Sequence, residues 1–415
     1  MMKIIIPAVA VLVLLVIVTF IFAPRFLNRE SGPTGPVTIK YWGFDDDTLI
    51  KPLVDEFEKS HPDIKVDYNR QSGANYRTRV QTQIRESVGP DVFKIHNSWT
   101  EMFTDDLAPA PKDLYNQTQF QTSFFQVAAD SFIRNNTIYG IPDAIDGLAL
   151  YYNEEILSAA GVPVPKTWQE FIDAATKMTV KDPGSGAIVT AGGAMGTASN
   201  IDHWSDILGL LLLQQPGVNL EKPASNEAAE VLTFYTGFVI DPGKKIWDTT
   251  LPNSTSLFAQ GNLAFYFGPS IEAARFKQAN PNLKFKIAPV PQLPGRQVGW
   301  GSFWGNSVSA KSKNPNQAWT FVKFLSVKEQ EEQKLMASDP LLSPFVTQGS
   351  YYKFWYLSGG TQDVGINDEM IKIWEEVINS VLAGTSSLPA LQNIELKIKG
   401  VTDKYTTAPT PTPKK

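Results

Sequence analysis

The alternation of strand and helix patterns that begins at residue 37 most constrains what this chain can fold into. Val37–Trp42 alternates polar and apolar side chains as a strand does, and apolar side chains then recur at helical spacing between Leu49 and Phe57. Two further strands with a helix between them repeat the same order: Ile64–Tyr68, 76–84 and Asp91–His96. This spacing predicts an α/β fold that opens with a parallel sheet.

Polar and aromatic residues follow the first and third predicted strands. Ligands of parallel sheets bind outside the carboxyl ends of the strands, so Trp42–Asp46 and Asn97–Trp99 are candidate site segments.

The sequence also predicts the remaining elements of the chain. Asp47 or Thr48 is expected to cap the first helix. Gly184–Gly193 reads as a loop or hairpin. Further helices and strands are predicted at Trp168–Met178, Trp204–Gln214, Ala224–Phe238, Leu263–Phe267, Ile271–Gln278, Lys284–Val290, Asn314–Phe324, Glu369–Leu382 and Ser387–Thr402.

Both ends of the chain differ in composition from its body. Residues 1–36 contain an uncharged apolar run, Ile4–Ala23, followed by a Gly/Pro-rich linker. Some 20 apolar residues are enough to span the ~30 Å core of a bilayer. The run is longer than the usual signal core and lacks a small-residue cleavage site, which favours an uncut membrane anchor with the body outside the cytoplasm. Residues 406–415 form a Pro/Thr-rich tail, predicted to be disordered.

The composition of the body excludes several classes of function. The whole chain carries a net charge of −5, and the body without residues 1–36 is more acidic, so there is no sign of a basic face for a nucleic-acid partner. Without cysteine there can be no disulfide, thiolate metal site or cysteine nucleophile, and three scattered histidines leave little room for zinc. We therefore expect neither a metal site nor a cofactor. Roughly 370 residues between the two ends are too many for one core and predict two domains.

Motifs of the common enzyme classes are absent from the sequence. It contains no G-x-S-x-G, no P-loop and no H-E-x-x-H. Ser350–Lys353 fits S-x-x-K, but its partner motifs are missing. The chain is therefore predicted not to be an enzyme.

A series of motifs through the body resembles family 1 extracellular solute-binding proteins, the receptors of ABC importers. Each motif is weak alone, and their order carries the resemblance. They are Tyr41–Asp46 (YWGFDD), Leu53–Val66, Gly89–Phe93 (GPDVF), Tyr139–Leu157, Val164–Phe171, Leu251–Gly268, Phe285–Gln292 and Phe303–Leu325.

The resemblance implies a two-lobed periplasmic-binding-protein type II fold with an interlobe cleft and a hinge. Lobe 1 would comprise residues 37–143 and 288–325, and lobe 2 residues 144–287 and 326–405. Such proteins close on a solute and deliver it to a permease. A monomer is expected. Relatives often carry a cysteine after the signal, and its absence here leaves tethering to the N-terminal helix.

Aromatic residues at strand ends and in glycine-rich loops suit a carbohydrate ligand. A sugar ring lies flat on an indole, while carboxylates and amides pair with its hydroxyls. Trp168, Trp319 and Trp374 lie in helical patterns and are assigned to the core. Asp47 is assigned to helix capping, and Gly268 is expected to let the backbone approach the ligand. The predicted ligand-binding residues are Trp42, Phe44, Asp45, Asp46, Asn97, Trp99, Asp146, Trp204, Trp247, Gly268, Trp300, Phe303, Trp304 and Trp355.

The resulting hypothesis is an extracytoplasmic receptor that captures a sugar or oligosaccharide in an aromatic-lined cleft for an ABC permease. A surface glycan-degrading enzyme on the same frame is one alternative. The others are a receptor for a non-sugar solute, such as a glycerol phosphate ester or a peptide, and a receptor that serves a sensor.

Overall fold

The computed structural model describes residues 35–406. The predicted anchor and all of the predicted tail beyond residue 406 lie outside the described residues. The strands are β1 (Val37–Gly43), β2 (Ile64–Arg70), β3 (Val92–His96), β4 (Ile133–Arg134), β5 (Thr137–Ile138), β6 (Ile141–Pro142), β7 (Ala149–Asn153), β8 (Val180–Lys181), β9 (Ile188–Gly193), β10 (Leu263–Gly268), β11 (Phe285–Ala288), β12 (Gly299–Trp300), β13 (Trp304–Val308) and β14 (Tyr352–Lys353).

Fifteen α-helices lie within this span. None of them is both long enough and apolar enough to cross a bilayer. They are α1 (Asp47–Ser60), α2 (Tyr76–Arg85), α3 (Gln117–Ser123), α4 (Gln126–Phe132), α5 (Glu154–Ala160), α6 (Trp168–Met178), α7 (Trp204–Gln214), α8 (Asn226–Ile240), α9 (Ser254–Ala259), α10 (Ile271–Ala279), α11 (Pro315–Ser338), α12 (Ser343–Gln348), α13 (Ile366–Leu382), α14 (Ser387–Gln392) and α15 (Glu395–Thr406).

The first five-stranded sheet has the order β2-β1-β3-β13-β6. β1 runs parallel to both β2 and β3, as the strand–helix alternation predicts. β13 runs antiparallel to β3 and β6, so the whole sheet is mixed and not parallel. The difference arises because β13 enters the sheet from a distant part of the chain, without a helical crossover from β3.

The second sheet has the order β11-β7-β10-β9-β8 and is also mixed. β10 pairs parallel with β9 and antiparallel with β7. All six residues of β10 are buried, which agrees with its continuous apolar sequence. β8 and β9 pair antiparallel. The glycine-rich segment Gly184–Gly193, predicted to be a loop or a hairpin, is therefore part of a hairpin.

Helix α1 shows where prediction from local sequence fails by one residue. Asp46, not Asp47 or Thr48, is the N-cap, and its side chain accepts a hydrogen bond from the Thr48 backbone. Leu49 is 67% exposed, whereas Ile50 faces the core. Val54 and Phe57 are buried as the helical spacing predicts, so the buried face differs from the prediction only in the first turn.

Most other helices begin or end where their periodicity predicts. The bounds of α6 and α7 match the prediction. Helix α11 continues to Ser338, beyond the predicted end. The predicted helix Ser387–Thr402 is interrupted at Asn393 and forms α14 and α15.

The chain passes between the sheets through two segments that hydrogen bond to each other. It leaves the first sheet after β6 and returns to it after β11. At the crossing, the Leu148 amide donates to the Trp300 carbonyl at 3.0 Å. A Cβ on Gly147 would lie 2.0 Å from that carbonyl oxygen, so only glycine fits there. The assignment of residue ranges to the two lobes stays a prediction.

Candidate functional site

A cavity of about 550 Å³ opens between the two sheets, beside the segments that connect them. A larger groove of about 960 Å³ lies elsewhere, against Thr100–Asp106 and the C-terminal helix. The smaller cavity is the candidate site because residues that follow strands of both sheets line it. It is lined by Asp45, Lys94, His96, Asp143, Ala144, Asp146, His203, Pro269, Ile271, Glu272, Arg275, Ser302, Phe303, Trp304, Glu329, Glu332 and Gly359–Thr361.

Trp304 supplies the large aromatic surface of the cavity wall. It is the first residue of β13 and only partly buried. Its ring packs edge-on against Phe44 at 4.8 Å, Trp99 at 5.0 Å and His96 at 5.2 Å between ring centroids. Burial lowers the pKa of His96 to about 3, so that ring is neutral. These contacts hold the Trp304 indole in one orientation, as a stacking surface requires.

A buried lysine of β3, in the first sheet, lines the cavity. Lys94 Nζ is 2.7 Å from Asp143 Oδ2 and 3.7 Å from Asp45 Oδ2. Burial acts to lower the pKa of Lys94, but the Asp143 carboxylate and the other neighbouring acidic groups outweigh it and raise the pKa well above its ordinary value. The wall therefore carries a fixed cation between two carboxylates.

A second charged cluster lies on the opposite side. His203 Nδ1 is 3.8 Å from Asp206 Oδ2, and His203 Nε2 is 3.8 Å from Glu272 Oε1. Arg275 also pairs with Glu272, at 2.6 Å. Burial acts to lower the pKa of His203, but Asp206 and Glu272 raise it to about 9, so the ring is an imidazolium at neutral pH.

Asp146 lines the cavity and also joins two elements. Its carboxylate accepts hydrogen bonds from the Ser270 amide at 3.1 Å, the Ser270 hydroxyl at 2.8 Å and the Gly147 amide at 2.8 Å. Burial raises the pKa of Asp146 to about 6. The side chain thus ties the crossing segment to the start of α10, and most of its acceptor capacity is already used.

Four of the predicted ligand-binding residues line this cavity: Asp45, Asp146, Phe303 and Trp304. Phe44 and Trp99 pack behind Trp304 instead, and Trp99 is fully buried. Asn97 is also buried and accepts a hydrogen bond from the Phe303 amide at 3.2 Å. Asp46 caps α1 and forms an ion pair with Arg70, which accounts for its position.

Three predicted site tryptophans are buried core residues. Trp300 is fully buried, donates to Asp206 Oδ1 at 2.7 Å and packs its ring against Gly209. Trp247 is fully buried and donates to Asn200 Oδ1 at 2.9 Å. Trp204 is 8% exposed in the first turn of α7. Internal hydrogen bonds of the indole N–H groups account for the burial of Trp300 and Trp247, and packing of α7 accounts for that of Trp204.

The remaining predicted residues do not reach the cavity wall. Trp42 and Trp355 are partly buried and are not among the lining residues. A Cβ on Gly268 would lie 2.6 Å from the Tyr266 ring, so packing requires this glycine. By contrast, Trp168, Trp319 and Trp374 are buried in the core, as their helical patterns predict.

Sequence reasoning missed most of the charged lining. Lys94 could have been identified from the sequence as a candidate site residue, because it is a cation inside a strand whose other residues are mostly apolar. Glu272 could also have been identified in this way, since it lies in the first turn of a helix that closely follows a buried strand. His203 and Glu329 had no local signal, because their positions depend on elements that are distant in sequence.

Comparisons with known proteins agree with this architecture. The family model described as "Bacterial extracellular solute-binding protein" matches residues 43–332. The melibiose/raffinose/stachyose-binding protein MelE of Bacillus subtilis is 27% identical over 296 residues, 68% of this chain and 67% of that protein. The arabinooligosaccharide-binding protein of the same species is 23% identical over 363 residues, 80% of each chain.

Solved structures share the fold at low sequence identity. The sugar-binding protein MalE from Xanthomonas citri is similar with a TM-score of 0.71 and 20% identity, over 89% of this chain and 98% of that one. The substrate-binding protein Lmo0181 from Listeria monocytogenes, solved with cycloalternan, gives a TM-score of 0.68 and 21% identity, over 88% and 98%. The predicted two-lobed α/β fold is confirmed.

Proposed function

This chain belongs to the family of bacterial extracellular solute-binding proteins, and from that premise we propose that it captures a carbohydrate in the cavity between its lobes. The observation that best supports this proposal is the position of Trp304, a partly buried indole at the cavity wall among hydrogen-bonding side chains. A sugar presents C–H groups to such a ring and hydroxyls to the polar groups around it. The sugar specificities in the names of the relatives support the same class of solute.

The proposal includes a place in transport. The receptor delivers its solute to the transmembrane subunits of an ABC importer, acts as a monomer and leaves the solute chemically unchanged. The apolar run Ile4–Ala23 anchors it in the membrane with its body outside the cytoplasm. Resemblance to receptors supports binding without catalysis, and the sequence of the run supports the anchor.

Thermal unfolding of the full chain in detergent tests the solute class. The probes are maltotetraose, mannotriose, raffinose, arabinotriose and xylotriose, with glycerol phosphate and trialanine as other classes. A solute at 100 times its Kd stabilises the folded protein by about 2.7 kcal/mol, so at least one sugar should raise the melting temperature clearly. A shift with glycerol phosphate or trialanine alone would contradict the proposal. New reducing ends during incubation would instead indicate a glycan-degrading enzyme.

Replacing the stacking surface tests the site. Trp304→Ala is expected to weaken binding of the active sugar by about 10-fold, or ~1.4 kcal/mol, because it removes the indole. Isothermal titration calorimetry measures the loss. Tyr115→Ala is the control, since this ring is also partly buried but packs against Phe120 and Phe124 away from the cavity. Equal affinities of the two variants would remove Trp304 from the site.

A further inference from the structure

We propose that His203 and Glu272 form a hydroxyl-binding subsite, in which His203 Nε2 donates to one hydroxyl of the solute and Glu272 Oε2 accepts from it. This inference rests on the proposed carbohydrate function and names the contact that selects the solute. Both residues line the cavity. Neither was among the residues predicted from sequence.

The two atoms lack hydrogen-bond partners although they are buried. Glu272 is 2% exposed, and its Oε1 accepts from Arg275 at 2.6 Å. Its Oε2 has no hydrogen-bond partner among the described residues, and the same is true of His203 Nε2. Nε2 is 3.8 Å from Glu272 Oε1, beyond hydrogen-bond range. Buried polar atoms are normally paired, so a group that satisfies both atoms would be bound favourably.

The surrounding contacts hold the pair in place. Asp206 lies 3.8 Å from His203 Nδ1, and Asp206 itself accepts from Trp300 at 2.7 Å and from the Gly359 amide at 3.2 Å. The Tyr266 ring meets the imidazole edge-to-face at 5.9 Å between centroids. These contacts fix the donor before the solute arrives, which reduces the entropy lost on binding.

The combination of a donor with an acceptor determines which group fits. A hydroxyl can accept from Nε2–H and donate to Oε2 at the same time. An ammonium group only donates and would face the His203 cation. A carboxylate or phosphate only accepts and would meet the negative charge of Glu272. The pair therefore selects a neutral polyol over charged solutes of similar size.

Binding measurements on the full chain test the subsite. The probes are the oligosaccharide of the panel that binds and its series of monodeoxy derivatives. In the wild type, removal of one particular hydroxyl should weaken binding at least 10-fold more than removal of the others. Glu272→Gln should weaken binding of the parent oligosaccharide by about 10-fold, because the amide oxygen can still accept from Arg275 but the amide nitrogen replaces Oε2 and presents a donor where the hydroxyl needs an acceptor. The sensitive deoxy derivative should lose little further affinity in this variant.

Glu331→Gln is the matched control, since this exposed carboxylate does not line the cavity. Circular dichroism verifies that each variant is folded. If Glu272→Gln fails to fold, His203→Leu and the deoxy series on the wild type give the same test. Wild-type affinity of the variants for every derivative, or an equal loss for each hydroxyl, overturns the subsite and leaves the proposed function intact. Absence of sugar binding by the wild type would instead reject the proposed function.

Discussion

Lys94 is a cation in the middle of a strand whose five residues are all buried. Its side chain is 8% exposed and that of Asp143 12%. Asp143 also accepts from Asn306 Nδ2 at 2.6 Å, so the carboxylate is held from two directions. A buried ion pair adds little net stability compared with apolar packing, but removing one partner leaves the other charge uncompensated.

Lys94→Met is therefore expected to lower the free energy of unfolding by about 3–5 kcal/mol. Combining it with Asp143→Asn should recover much of this loss, because the unpaired charge disappears while the amide still reaches Asn306. Urea unfolding followed by circular dichroism measures both variants. Equal losses for the single and double variants would show that the charge on Asp143 is not the cause.

For single residues, the sequence could identify candidate aromatic side chains but could not separate those that line the cavity from those that belong to the core. Trp300 and Trp304 occupy the same glycine-rich segment, yet only Trp304 lines the cavity. Trp300 is buried because Gly209, far away in the chain, leaves space for its ring and Asp206 accepts its N–H. No pattern local to either tryptophan contains that information.

Among the elements, α7 shows how a helix makes room for a side chain from another segment. A Cβ on Gly209 would lie 2.3 Å from the Trp300 ring. Glycine is otherwise a poor residue inside a helix. Its presence lets β12 approach α7 closely enough for Trp300 to reach Asp206, which lies beside His203.

Gly209→Ala is expected to destabilise the protein by about 1–3 kcal/mol, because overpacking moves the Trp300 ring. The matched change Gly237→Ala in α8, where no atom lies within 4 Å of the new Cβ, should stabilise it by roughly 0.5–1 kcal/mol. Urea unfolding of the two variants gives the comparison. A stabilising effect of Gly209→Ala would mean that Trp300 moves aside without cost.

Element types were predictable where one face is regularly buried. The periodicities at Trp168–Met178 and Trp204–Gln214 gave the observed bounds. The antiparallel entry of β13 was not predictable in this way, because strand order depends on which distant segments meet. The cavity lining could not be predicted for the same reason, since six separate regions of the chain supply its charged side chains.

Over the whole molecule, the balance of charge at the lobe junction should make stability depend on pH. Glu329 of α11 lines the cavity, and its Oε2 accepts from the Ala144 amide at 3.3 Å. Burial and the nearby Asp143 carboxylate raise the pKa of Glu329 to about 8, against the opposing effect of Lys94. Glu332 on the same helix raises it further.

A carboxyl group with a raised pKa binds more protons in the folded than in the unfolded state between about pH 4.5 and 8, so its contribution to stability is lost as pH rises through that window. Glu329→Gln mimics the protonated form and should unfold at nearly the wild-type temperature at pH 5. At pH 8.5 it should unfold about 5 °C higher, because a rise of the pKa from 4.5 to about 8 corresponds to about 5 kcal/mol, and about 1 kcal/mol shifts the melting temperature by ~1 °C in a protein of this size. The change Glu331→Gln at the exposed neighbour should leave the pH profile as it is. Parallel profiles of wild type and Glu329→Gln from pH 5 to 8.5 would show that Glu329 is already ionised at neutral pH, with Lys94 compensating its charge.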